Sequence, residues 1–312
     1  MIISTNLDNM HNTHPCAVAL GAFDGFHRGH RVLIDRLLSV AEERSLCSMV
    51  FTFDPHPDRI LHPDKPLPML MTKAEKEAVL DAWGVDAIHY QDFDEEFHTM
   101  APDRFIDFLV SKLDTRVVIA GYDYRFGYKG KGNADTLAAG CRKRGIEAVI
   151  IPPVHIDGAV VSSTRIRQAL ANGDIAGANH MLGYPYAIHG VVSAGRSRGR
   201  TLGFPTANIT VDNTQKMLPA GGVYVTEASW EDGRYYALTN VGVNPTFEND
   251  HIVRVETHIP RFTGELYGVK TEIRFLDRLR DEKAFDSREA LIGQIQRDLV
   301  SFEKFVYKKK DM

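Results

Sequence analysis

Two histidines three residues apart, His27 and His30, lie in a stretch with three glycines: Gly21-Ala22-Phe23-Asp24-Gly25-Phe26-His27-Arg28-Gly29-His30. At the start of a helix that spacing puts both imidazoles on one face. Unpaired backbone N–H groups at a helix start attract anions, so the stretch reads as a cradle for phosphates. The helix end alone is too weak. It stabilises an anion by about 0.3–1 kcal/mol, ~2 when partly buried, whereas accelerating phosphate chemistry takes roughly 8 kcal/mol or more. Further cations must converge. Ser162-Ser163-Thr164-Arg165-Ile166-Arg167 offers them: Ser163 or Thr164 would cap a helix, with Arg167 about one turn on. A planar guanidinium suits a polyphosphate, although a plain capped surface helix fits the same residues. His-x-x-His as half a zinc site is disfavoured, because Cys16, Cys47 and Cys141 lie far apart without paired spacing.

A second cationic stretch runs from Gly195 to Asn208, Gly-Arg-Ser-Arg-Gly-Arg-Thr-Leu-Gly-Phe-Pro-Thr-Ala-Asn. It lacks the Gly-Lys-Ser/Thr ending of a P-loop, yet its glycines and arginines suit polyphosphate. Thr206 and Asn208 are two apart, so on a strand they share a face. Their neutral oxygens suit Mg²⁺, which keeps most of its own waters and the substrate phosphates.

These residues need elements to position them. Cys16–Leu20 reads as a strand before the glycine turn, and Arg31–Ser45 as the helix after it. Strands follow at Ser48–Phe53, Val85–His89, Arg116–Ala120 and Ala148–Ile151, alternating with helices from Thr72 (a capping box with Glu75) to Trp83, Pro102–Leu113 and Ala134–Arg144. Such alternation predicts a Rossmann-like α/β domain with a parallel sheet. Ligands there bind beyond the carboxyl ends of the strands, where the His27 turn, the Phe53–Pro57 loop and the Asp123 loop would share one crevice. Past Gly183 the texture changes to short β-prone runs at Ala187–Ser193, Val223–Ala228, Tyr235–Val241, Ile252–Ile259 and Val269–Phe275. These predict a small closed barrel, finished by an amphipathic helix from Ser287 to about Val306 that presents Leu291, Ile295, Leu299 and Phe302. The expected boundary gives domains 1–183 and 184–312.

Composition narrows the class. At 312 residues, 44% hydrophobic and 25% charged with net charge −4, the chain reads as an ordinary globular protein of two domains. The charge argues against nucleic acid or a membrane surface as partner. No apolar run approaches spanning length, and three cysteines fit the reducing cytoplasm. Nothing in the pattern dictates an oligomeric state.

Several of these motifs together resemble the bacterial bifunctional riboflavin kinase/FMN adenylyltransferase family, also called FAD synthetase. The glycine turn carries the broader nucleotidylyltransferase His-x-Gly-His signature. Phe53-Asp54-Pro55-His56-Pro57, Gly121-Tyr122-Asp123-Tyr124-Arg125-Phe126-Gly127 and Ser162–Arg167 are more specific to the flavin family. So are Gly203-Phe204-Pro205-Thr206-Ala207-Asn208, Gly242-Val243-Asn244-Pro245-Thr246-Phe247 and Val255-Glu256-Thr257-His258; Glu265 departs from an expected Asp. The resemblance implies a bifunctional transferase that makes FMN and ADP from riboflavin and ATP, then FAD and pyrophosphate from FMN and ATP. It implies an N-terminal nucleotidylyltransferase domain and a C-terminal six-stranded antiparallel β-barrel with a terminal helix. His27, His30 and Arg167 would act in adenylyl transfer, with Gly21, Phe23, Asp24, Gly29, Asp123, Ser163 and Thr164 in its ATP site. Phe53, His56, Pro57 and Phe126 would lie near the flavin. In the kinase, Gly195, Arg200, Gly203, Pro205, Thr206 and Asn208 would meet ATP, Thr206 and Asn208 would hold Mg²⁺, and Glu256 would be the base.

The two reactions make different demands. Riboflavin offers a neutral hydroxyl, and a carboxylate that takes its proton contributes typically about 10²–10⁴-fold. FMN offers a phosphate already mostly dianionic at pH 7, with a second pKa near ~6; it needs alignment and neutralised charge, not a base. Two other readings fit parts of the chain: a nucleotidylyltransferase for another cofactor, whose barrel would need no Glu256, and a flavin-binding regulator, which would need no intact histidine pair.

Overall fold

The computed structural model describes residues 1–5, 14–65, 67–193, 203–243 and 253–310. Backbone contacts divide the chain into two compact units, Met1–Ser163 and Thr164–Met312.

The first unit is built on six parallel strands: β1 (Ile2–Ser4), β2 (Cys16–Leu20), β3 (Cys47–Phe53), β4 (Ala87–Gln91), β5 (Thr115–Gly121) and β6 (Glu147–Ile151). Their order across the sheet is β1-β4-β3-β2-β5-β6. The chain winds outward from β2 through β3 to β4, then returns to lay β5 on the other side of β2. The order therefore reverses between β2 and β5, the switch point where open α/β sheets leave a crevice at the strand ends. β2 is wholly buried along its five residues, as expected for a central strand covered on both faces. Between strands run α1 (Arg28–Arg44), α2 (Pro57–Leu61), α3 (Lys73–Ala82), α4 (Glu95–His98), α5 (Pro102–Leu113) and α6 (Ala134–Lys143). The proline-initiated α5 and the Thr72/Glu75 capping box on α3 match the sequence signals. α1 begins three residues earlier than its apolar periodicity predicts. His27 caps it, its Nδ1 accepting from His30 N–H at 3.3 Å. Past β6, two short strands, β7 (His155–Ile156) and β8 (Ala159–Val160), form a hairpin.

The second unit holds α7 (Ser163–Ala171, its first residue in the first unit), α8 (Ile175–Leu182) and six antiparallel strands: β9 (Ala187–Ser193), β10 (Ala207–Val211), β11 (Gly222–Trp230), β12 (Gly233–Val243), β13 (Val253–His258) and β14 (Lys270–Asp281). They close in the order β10-β13-β12-β11-β14-β9. Closure forces β9 and β10 together at Gly190, where a Cβ would meet Thr210 O at 2.3 Å; only glycine fits. The interior includes a hydroxyl ladder across three strands, Thr226 to Thr239 (2.7 Å) to Thr257 (3.0 Å), all at most 1% exposed. Each buried hydroxyl thereby finds a partner. The terminal helix α9 (Arg288–Lys310) sets Phe302, Leu299, Phe305 and Val306 against Val223, Val225 and Leu238. Its docking thus centres one to two turns later than the face expected from sequence, where Leu291 and Ile295 are only half-buried. An Arg280 fork holds Asp298 at 2.9–3.0 Å on the same face.

α7 and α8 fall before residue 183 yet belong to the barrel's unit. Ala220 N–H donates to Leu170 O (2.9 Å), Asn179 Nδ2 to Phe275 O (2.8 Å) and Tyr186 N–H to Asn179 Oδ1 (2.7 Å). These ties bind the helical pair to the barrel wall, which residue composition does not reveal.

Candidate active sites

In the first unit the turn after β2 is held in a tight shape. Phe23 (φ 47°), Gly25 (φ 90°) and Phe26 (φ 31°) occupy the left-handed region, which costs a non-glycine residue about 1–2 kcal/mol. Burial offsets the cost: both phenylalanine rings are 1% exposed and stack at 5.7 Å. Asp24, 2% exposed, turns inward. Its Oδ2 and Oδ1 accept from Leu70 N–H and Met71 N–H, each at 3.0 Å. Its carbonyl accepts from Ser163 Oγ (2.7 Å). Because α7 already begins at Ser163, neither Ser163 nor Thr164 stands at its N-cap, and the Ser163 hydroxyl is given to the Asp24 carbonyl instead. Ala22 O accepts from Thr52 Oγ1 (3.1 Å) and from Lys76 Nζ (3.0 Å).

His27 and His30 stack with centroids 3.7 Å apart and planes 14° from parallel. Burial pushes His27 down to about 4 and His30 well below the ordinary value. Both are neutral at pH 7. Because His27 Nδ1 accepts from a backbone N–H, its proton sits on Nε2. The pair thus offers neutral hydrogen-bonding groups, not charge, and His30 Nδ1 is a buried atom without a hydrogen-bond partner among the described residues. Gly29 admits the His27 ring, which a Cβ there would meet at 3.1 Å. Gly21 lies against the Phe23 ring in the same way. Thr164 and Arg167 lie on α7 in the second unit, Arg167 one turn beyond Ser163.

A cavity of about 520 Å³ opens beyond the ends of β3, β4 and β5. Phe53, Pro57, Phe93, Phe97, Tyr124 and Phe126 give it aromatic and apolar walls, while Arg125 and Lys129 bring cations to it. Phe53, Pro57 and Phe126 thus converge on one space. His56 stands beside it, its Nδ1 accepting from Asp58 N–H (3.2 Å) to cap α2. The exposed Asp123 belongs to the same loop as Tyr124. Gly127 (φ 70°) lets this loop pass Pro102, whose ring a Cβ would meet at 2.8 Å.

In the barrel, Glu256 on β13 is directly opposite Asn208 on β10 and Asn240 on β12. Such cross-strand neighbours share a face, with Cβ atoms about 4.5–5.5 Å apart. All three are half-buried and alternate with Val255 (2% exposed) and Thr257 (1%), which fill the barrel. The carboxylate therefore stands on the outer face between two amides. Pro205 is tied to the same strand: His258 Nδ1–H donates to its carbonyl (2.8 Å), and Thr206 follows directly, half-buried. Gly203 is in the left-handed region at φ 85°. Gly195, Arg200 and the Asn244–Phe247 motif lie outside the described residues. Two placements carry no signal in the sequence: Asn240 opposite Glu256, which is a matter of register, and the burial of Lys76, which reads as an ordinary helix-surface lysine.

The donors at this site are oxygen-rich and mostly neutral. Among the described residues no cluster of three His, Cys, Asp or Glu side chains could cage a metal. The Thr206 hydroxyl and Asn208 carbonyl suit a Mg²⁺ that keeps waters and phosphates as its other ligands.

Comparison with known proteins matches the FAD synthetase family over residues 9–165 and the riboflavin kinase family over residues 182–306. The bifunctional riboflavin kinase/FMN adenylyltransferase of Listeria monocytogenes is 37% identical over 298 residues, spanning 94% of this chain and 93% of the relative. That of Bacillus subtilis is 34% identical, spanning 94% and 96%. A crystal structure from Streptococcus pneumoniae, described as a macrolide-efflux protein, has a TM-score of 0.88 at 33% identity over 97% of this chain and 98% of that one. Among the described residues of the present chain, no helix is long and apolar enough to cross a membrane.

Proposed function

This chain belongs to the bifunctional riboflavin kinase/FMN adenylyltransferase family, which makes FMN and then FAD, and we propose that it divides the two reactions between the sites described above. The observation that carries the proposal is the difference in their donors. The barrel presents one carboxylate, Glu256, between Asn208 and Asn240. The turn after β2 presents two neutral imidazoles and no carboxylate free of backbone amides.

In the barrel, Glu256 accepts the proton of the riboflavin hydroxyl as oxygen attacks the γ-phosphorus of ATP. Asn208 and Asn240 orient the carboxylate from both sides. Thr206 and Asn208 would hold Mg²⁺, which when bound neutralises phosphate charge. Gly203 and Pro205, with Gly195 and Arg200 outside the described residues, would meet ATP. In the other half the cavity walled by Phe53, Pro57 and Phe126 stacks on the flavin ring, with His56 and Asp123 at its approaches. The FMN phosphate attacks the α-phosphorus of ATP and pyrophosphate leaves. His27 Nε2–H and His30 hydrogen-bond the phosphates, and Arg167 would supply positive charge. Ser163 and Thr164 complete the ATP site. Asp24, spent on backbone amides, shapes the turn that Gly21, Phe23 and Gly29 build. Residues 1–183 thus serve adenylyl transfer and 184–312 the kinase, in the cytoplasm, where ATP is abundant and free thiols persist.

The test is chromatographic separation of flavins after incubation with riboflavin, ATP and Mg²⁺. Wild type should give FMN and FAD. His30→Ala and Arg167→Ala should accumulate FMN; FAD formation at the wild-type rate in either would refute this assignment.

A further inference from the structure

With both imidazoles of the turn neutral, they add no positive charge toward a triphosphate, and any that the protein supplies comes from other side chains. Among the described residues of the first unit, one cation is buried. Lys76 on α3 is only 4% exposed, and lysines are almost never so buried unless paired. Its Nζ donates to Ala22 O at 3.0 Å, a carbonyl of the turn that carries His27 and His30, and its charge is felt at His30. That carbonyl already has a donor in Thr52 Oγ1, so satisfying it does not require an ammonium. A methionine or leucine would fill the same helical position without desolvating a charge.

We propose that Lys76 is a positioning residue for adenylyl transfer: its buried ammonium, bonded to the Gly21–His30 turn, gives that turn a fixed positive charge and draws the ATP phosphates on to it. This rests on the reading of that turn as the ATP site. Other charges face Lys76 from each neighbouring element. Asp24 on the turn and Asp54 after β3 favour its charged form, as does Glu77 on its own helix; Lys73 on that helix opposes it, and Lys76 in turn disfavours a charged His30 on α1. The Asp24 carboxylate is engaged by two amides, and Lys73 is paired with Asp54 at 3.0 Å. Arg31, the next cation along α1 from His30, is paired with Asp35 at 2.8 Å and lies over the Trp83 ring. Burial brings the Lys76 ammonium down to about 8, so it is charged at pH 7 and neutral by pH 9.

The experiment measures FAD synthesis from supplied FMN with the full chain, as KM for ATP from pH 6.5 to 9.5. FMN formation by the barrel is recorded alongside. In wild type KM should rise about tenfold across pH 8, the size expected for one charge at moderate distance and dielectric. Lys76→Met should show the high KM at every pH with a nearly unchanged kcat, and Lys76→Arg should keep the low KM at pH 9. FMN formation should be unaffected in both. A wild-type KM that is flat through pH 8 overturns the proposal, and that measurement stands even if Lys76→Met does not fold. A folded Lys76→Met with wild-type KM also overturns it. Failure of the underlying reading would look different: His30→Ala would then leave FAD synthesis intact.

Discussion

Replacing Asp24 tests how the phosphate turn is built. The carboxylate accepts from the buried amides of Leu70 and Met71, each at 3.0 Å. Asp24→Ala takes the carboxylate acceptor from both N–H groups, and each buried donor that loses its acceptor costs about 1–3 kcal/mol. The loss is therefore roughly 2–6 kcal/mol, a large share of the 5–15 kcal/mol that typically separates folded from unfolded protein. Asp24→Asn keeps one acceptor and should lose about half as much, roughly 1–3 kcal/mol. The chain has two tryptophans, Trp83 in the first unit and Trp230 in the second. In a Trp230→Phe background, urea unfolding followed by Trp83 fluorescence reports the first unit alone. The expected result is an earlier midpoint for both variants, Ala before Asn, with FMN formation retained. A wild-type midpoint for Asp24→Asn combined with a raised KM for ATP would refute the reasoning. It would mean that the carboxylate faces nucleotide and not backbone.

Acid should weaken the same unit. His27 titrates near 4 when folded and near 6.5 when unfolded, so the unfolded chain binds more protons between those values and stability falls as pH drops through this window. The loss approaches about 3 kcal/mol below pH 4, and a His27→Gln variant should show a smaller drop between pH 6.5 and 4 in the same urea assay; an equal drop would count against it. In the barrel, Asp298→Ala leaves the Arg280 guanidinium, whose side chain is 15% exposed, without its carboxylate. Breaking such a pair costs about 3–5 kcal/mol, which urea unfolding read from Trp230 in a Trp83→Phe background should register; an unshifted midpoint would show that the fork contributes nothing.

Much of the architecture is legible in the sequence where local chemistry and tertiary demand agree. Pro102 starts α5, and the Thr72/Glu75 box starts α3, because each satisfies its helix end by itself. β1 is not legible: it has three residues, two of them exposed, and exists only because β4 offers it an edge. β10 is hidden between a proline-containing loop and a turn, and its role follows from pairing with β9 and β13. At the sites the motifs name residues but not directions. Asp24 belongs to the signature yet points at amides, and Ser163 bonds a carbonyl where a helix cap is expected. The Asn208–Glu256 pairing is a matter of register, fixed by two strands some fifty residues apart. Lys76 looks solvated by its pattern; only packing against the turn buries it.

The central claim is that an alcohol needs a base to be phosphorylated while a phosphate monoester needs none to be adenylylated, with Glu256 as that base. The direct measurement is both rates in a folded Glu256→Gln variant, which keeps the shape and the cross-strand neighbours. FMN formation should fall by about 10²–10⁴-fold while FAD formation from supplied FMN stays at the wild-type rate. Retained FMN formation, or loss of both activities together, would contradict the account.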